Sequence, residues 1–80
     1  MKNLRLIRKI IKGNAEYELY VVKGYEDSFV ISAHDGLDFA TSSIKADREE
    51  VIMLFEIIGE SETPPYTIGD IIRDEILYNV

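Results

Sequence analysis

Eighty residues leave room for one small domain, and the absence of cysteine removes disulfides as a source of stability. With a single histidine and no thiolate, a structural zinc site is excluded too. A net charge of −6 argues against direct nucleic-acid binding, and the longest apolar run, VIMLF at 51–55, is far too short to span a bilayer. Charge is laid out unevenly: Lys2, Arg5, Arg8, Lys9 and Lys12 precede every one of the 15 acids. These basic residues also interrupt the early apolar positions, so no signal-peptide core forms and the chain reads as cytoplasmic.

The first half carries strand signals. LRLIRKII (4–11) is followed by Gly13-Asn14, a two-residue hairpin loop, and then by EYELYVV (16–22), rich in residues suited to a pleated surface. Closing the hairpin there pairs Ile10 with Tyr17, Lys9 with Glu18, Arg8 with Leu19 and Leu6 with Val21. That register gathers Leu6, Ile10, Tyr17, Leu19 and Val21 on one face. It leaves Ile7, Ile11, Tyr20 and Val22 on the other, with Tyr20 opposite Ile7. A longer turn, KGYED (23–27), leads to SFVISAH (28–34), in which Phe29, Ile31 and Ala33 alternate with Ser28, Val30 and Ser32. Asp35-Gly36 then predicts a type I′ turn, placing His34 opposite Leu37 at the start of LDFATSS (37–43). His34 is thus a residue at the mouth of a hairpin. Ser32 shares its face while Asp38 points away, which is no basis for triad chemistry.

The period then changes. Asp47 with Glu50 three residues on matches a capping box, and Val51, Leu54, Phe55 and Ile58 form one helical stripe ended by Gly59. A helix over 48–58 is predicted. ESETPPY (60–66) is a loop broken by Pro64 and Pro65. Thr67 is the expected cap of a last helix over 68–79, with Tyr66 and Ile71 as its hydrophobic staple. That helix turns Ile68, Ile71, Ile72 and Ile76 inward and Asp70, Asp74 and Glu75 outward.

The segment IKADREEVIMLF, the proline loop and YTIGDIIRDEIL together resemble a family of small uncharacterised proteins of clostridia and related Firmicutes. Asp47, Arg48, Val51 and Leu54, then Pro65, then Asp70, Ile71, Ile72 and Asp74 carry the resemblance, over residues 44–78. It implies a small bacterial cytoplasmic protein. It brings no catalytic residues.

The expected architecture is α+β: an antiparallel β-meander of about four strands followed by two C-terminal helices packed on one sheet face, as a single domain over 1–80. Asp70 and Asp74 share a helix face, but two carboxylates fall short of a hard-cation site, so a solvated acidic face is expected. In the basic N-terminal strand, Arg5, Lys9 and Lys2 are expected to balance neighbouring acids. Ile52, Met53 and Ile57 widen the first helix beyond its stripe, Leu77 and Val80 the last, and the second sheet face holds a further apolar surplus. An uncovered patch of that kind marks a partner surface. The expected function is a non-catalytic protein-interaction or regulatory module, self-associating as a homodimer and lacking cofactor or metal. Its candidate surface comprises Tyr20, Met53, Ile57, Asp70, Asp74 and Glu75. The alternative is an acidic nucleic-acid mimic occupying the basic groove of a nucleic-acid-binding enzyme.

Overall fold

The computed structural model describes residues 3–70. Within them run β1 (Leu4–Lys12), β2 (Ala15–Val22), β3 (Tyr25–His34), β4 (Phe39–Lys45), α1 (Arg48–Glu60) and a 3-10 turn over Pro65–Thr67. The strands form one antiparallel sheet in the order β1-β2-β3-β4, the expected meander. Of the segment 68–79, expected to be a helix, only residues 68–70 fall within the described part, and they are helical.

The first hairpin closes at Gly13-Asn14, flanked by the pair Lys12 and Ala15. Gly13 alone takes a positive φ, 60°, which fits a type II′ turn with glycine at its first central position. Ile10–Tyr17, Lys9–Glu18 and Arg8–Leu19 pair as expected, and then the register shifts. Leu6 faces Tyr20, and Arg5 faces Val21. The expected Leu6–Val21 and Ile7–Tyr20 pairs are therefore corrected: Ile7 is an extra residue in β1, a bulge. A one-residue slip exchanges faces, so Ile7 packs against the core while Leu6 turns outward and is 50% exposed.

The second connection is tighter than the expected 23–27 turn. Val22 pairs with Tyr25 around a two-residue link containing Gly24 at φ 89°. Irregularity follows it: Val21 pairs with Phe29, so Glu26, Asp27 and Ser28 lie between successive pairs. That excess exposes Tyr25 and lets Phe29 enter the core.

The third hairpin forms where expected, but not with the expected turn. His34 pairs with Phe39 rather than Leu37, which leaves a loop over 35–38 and starts β4 at Phe39. A type I′ turn needs positive φ at Asp35 as well as Gly36, and only Gly36 has it, at 93°. The Asp35 side chain organises the loop instead. Its Oδ1 accepts hydrogen bonds from the Leu37 and Asp38 amides at 3.0 and 2.8 Å. The Asp38 and Leu37 amides hold the Asp35 carboxyl below its ordinary range. A depressed carboxylate contributes stability that is full above the unfolded pKa of about 3.9 and fades as pH falls through the lower folded value. Urea midpoints of wild type and Asp35→Ala should therefore differ at neutral pH and converge in strong acid.

One buried cluster unites alternate residues of β2 and β3 (Tyr17, Leu19, Val21, Phe29, Ile31, Ala33) with Ile44, with Val51, Leu54, Phe55 and Ile58 of α1, and with Ile68. The helical stripe read from spacing is thus the buried one. Both ends of α1 differ from expectation. Asp47 occupies the N-cap position, but its side chain makes no capping hydrogen bond, so the capping box is not formed. Its charge still lies with Glu49 and Glu50 at the positive end of the helix. The helix also runs through Gly59 to Glu60. It ends in a Schellman motif: the Thr63 amide donates to Ile58 O and the Glu62 amide to Gly59 O, at 3.2 and 3.1 Å. Glu62 is the left-handed residue, at φ 53°. Glu62→Gly removes a side chain from that conformation and is expected to raise stability by about 1 kcal/mol, read from thermal or urea unfolding.

Thr67 directly precedes the helical residues 68–70, and the helix it was expected to cap lies for the most part outside the described residues. Thr67 closes the 3-10 turn that Pro65 opens, its hydroxyl donating to Pro64 O at 2.9 Å. Proline suits that first position because its missing N–H has no helical partner there. Tyr66 is exposed, and Ile71, the other half of the expected staple, lies outside the described residues.

Candidate interaction surface

Alternation along four strands sends one set of side chains into the core and the other to a second sheet face. Three rows cross that second face: Ile11–Glu16–His34–Phe39, Lys9–Glu18–Ser32–Thr41 and Leu6–Tyr20–Val30–Ser43. The bulge at Ile7 brings Leu6 into the third row. One end of the face is therefore charged and the other apolar.

At the charged end Lys9 Nζ lies 3.4 Å from Glu16 Oε1 and 3.8 Å from Glu18 Oε2. His34 Nε2 lies 3.5 Å from the same Glu16 oxygen. The Tyr20 hydroxyl donates to Glu18 Oε1 at 2.8 Å, and that bond, with some burial, pushes the phenol pKa up. The chain's histidine thus faces Glu16 of β2 across the sheet. Among the described residues no group of three or more histidine, aspartate or glutamate side chains is placed to hold a metal ion.

From the apolar row toward the start of β4, Leu4, Tyr20, Val30 and Phe39, with Ser32, Thr41 and Ser43, line a shallow depression of about 530 Å³. Leu6, paired with Tyr20, extends the apolar surface, and both it and Phe39 are exposed. The buried residues of α1 belong to the cluster on the other side of the sheet, and no described element covers this face. Contiguous exposed apolar surface of this kind is a recognised mark of an interaction site.

The candidate residues read from the sequence fall in separate places. Tyr20 lies half-buried on the open sheet face, its ring in the depression. Met53 and Ile57, 64% and 58% exposed, sit one turn apart on the solvent side of α1, across the sheet from Tyr20. Asp70 is exposed at the end of the described residues, and Asp74 and Glu75 lie outside them. Leu77 and Val80 also lie outside, and Ile52 packs half-buried against the core. Val30 and Phe39 were missed as site residues. The β2–β3 register sets Val30 opposite Tyr20, and the β3–β4 register brings Phe39 onto the same face.

Of the cations expected to balance neighbouring acids, Lys9 does so, Arg5 does not among the described residues, and Lys2 lies outside them. Lys9 is engaged as above, and Lys12 pairs with Glu60 at 2.9 Å, tying β1 to the end of α1. Arg5 and Arg8 are exposed and have no ion pair among the described residues. No described helix is long and apolar enough to cross a membrane. Comparison with protein-family models, with curated proteins and with solved structures finds no match to this chain.

Proposed function

We propose that the chain is a non-catalytic, self-associating protein-interaction module whose working surface is the open sheet face. The observation that carries this reading is the row Leu6–Tyr20–Val30 beside the depression, apolar and uncovered by any described element. Charged side chains, Lys9, Glu16 and Glu18, lie beside that apolar row on the same face. A second C-terminal helix beside α1, continuing from residues 68–70, a cytoplasmic location and membership of the small bacterial family resembled over 44–78 belong to the same proposal. The nucleic-acid-mimic reading is less favoured. Exposed Met53 and Ile57 interrupt the acids of α1, where a mimic would present an unbroken anionic surface.

A photoreactive phenylalanine derivative at position 20, introduced in cells that make the protein, tests the proposal. Covalent adducts with a polypeptide from position 20, and none from the exposed control position Glu49, are expected. Adducts from position 49 alone would move the working surface to α1 and overturn the reading.

A further inference from the structure

The sheet has two edges, and they are built in opposite ways. β1 is defended against strand pairing. It carries the bulge at Ile7 and places Arg5, Arg8, Lys9 and Lys12 along its length, the devices by which edge strands avoid pairing. Antiparallel self-pairing about the middle of β1 would set Arg8 directly against Arg8. β4 has none of these defences. Its sequence, FATSSIK, holds no proline and no charge before Lys45, and its pairing with β3 is regular throughout. Its only strand neighbour is β3, so its outward backbone groups have no strand partner among the described residues. The 3-10 turn contacts β4, and Gly69 approaches Ser42 on the core side.

We propose that two copies of the chain join through β4, edge to edge and antiparallel, about a two-fold axis at Ser42. This deepens the self-association reading above and rests on it. A two-fold axis perpendicular to the sheet keeps each face on its own side, so paired residues must share a face. The axis at Ser42 meets that condition and centres the strand. It sets Ser42 against Ser42, Thr41 against Ser43, Ala40 against Ile44, and Phe39 against Lys45 of the second copy. No like charges meet, and each Phe39 ring, exposed in the single chain, receives a lysine side chain. Moving the axis to Thr41 would instead set Ile44 against Asp38. Main-chain hydrogen bonds supply the attachment, as in other strand additions. The product is one eight-stranded sheet whose two open faces lie side by side, leaving the Tyr20 rows free for a different protein.

Opposed residues of an antiparallel pair lie about 4.5–5.5 Å apart at Cα, within disulfide reach. Because the chain has no cysteine, Ser42→Cys introduces the only thiol. Mild oxidation should convert Ser42→Cys to a reducible covalent dimer and leave Arg8→Cys unlinked. Independently, Thr41→Lys, at an exposed outward position of β4, should weaken the dimer at least tenfold by sedimentation, whereas Glu49→Lys, exposed on α1, should leave it unchanged. A dimer that persists in Thr41→Lys and is not linked through position 42 would overturn the edge assignment and leave self-association standing. A chain that is monomeric throughout would overturn both.

Discussion

Gly59→Val is expected to destabilise the protein by about 3 kcal/mol, at the upper end of the usual cost of overpacking a core. A Cβ at Gly59 would lie 2.5 Å from Cδ1 of Ile10, and 3.1 and 3.2 Å from its Cγ2 and Cβ. The Cδ1 methyl can rotate away and Cγ2 can move only with a change of χ1, but Cβ is fixed to the β1 backbone, so Ile10 must leave its rotamer and the two elements must separate by a few tenths of an ångström. A domain of this size has a total stability of roughly 4–12 kcal/mol, so the loss is a large fraction of it. The urea midpoint checks this directly. Shortening Ile10 to alanine in the same chain should recover part of the loss, because it removes the atoms that clash, and the double-mutant cycle should show coupling between the two sites. Purely additive losses would mean that the helix does not approach β1 so closely.

Tyr17→Phe is the second substitution with a large expected effect, about 1–3 kcal/mol destabilising. Tyr17 is buried in β2, and its hydroxyl donates to the Thr63 carbonyl at 2.8 Å, fastening the segment after α1 to the sheet. Removing the hydroxyl leaves a buried carbonyl without that donor. The interaction also has a pH signature. Burial, assisted by Glu62 and Asp35, raises the Tyr17 pKa above its ordinary value. A raised pKa means that the stabilisation is full below the unfolded value of about 10 and is lost as pH rises through the higher folded value. The gap between wild type and Tyr17→Phe should therefore hold at neutral pH and narrow in strong alkali, as urea titrations across that range would show.

Local chemistry made much of this fold legible. Gly13-Asn14, the Lys9–Glu18 pair and the aromatic run of β2 all point to one hairpin, and the spacing of Val51, Leu54, Phe55 and Ile58 to one buried helical face. The parts that were not legible depend on partners distant in the chain. Leu6 and Ile7 are both apolar, so alternation cannot choose which faces inward, and the bulge is settled by packing against the core. Asp35-Gly36 is compatible with more than one closure, and the amides reached by the Asp35 carboxylate select the wider loop. Gly59 reads as a stop because glycine often ends helices, yet here its value is the contact with Ile10, invisible until β1 lies beneath α1.

The candidate site divides in the same way. Tyr20 follows from strand parity, and Met53 and Ile57 from helical spacing, so each was accessible from one element alone. Val30 and Phe39 belong to the surface only through their register with neighbouring strands. The contrast between the two sheet edges likewise depends on topology, because neither β1 nor β4 is an edge until the strand order is known.

Light scattering on the 80-residue chain over a hundredfold concentration range tests the central claim of self-association most directly. The account predicts a mass approaching twice the 9.2 kDa of one chain as concentration rises. A mass that stays at a single chain across the whole range would contradict it.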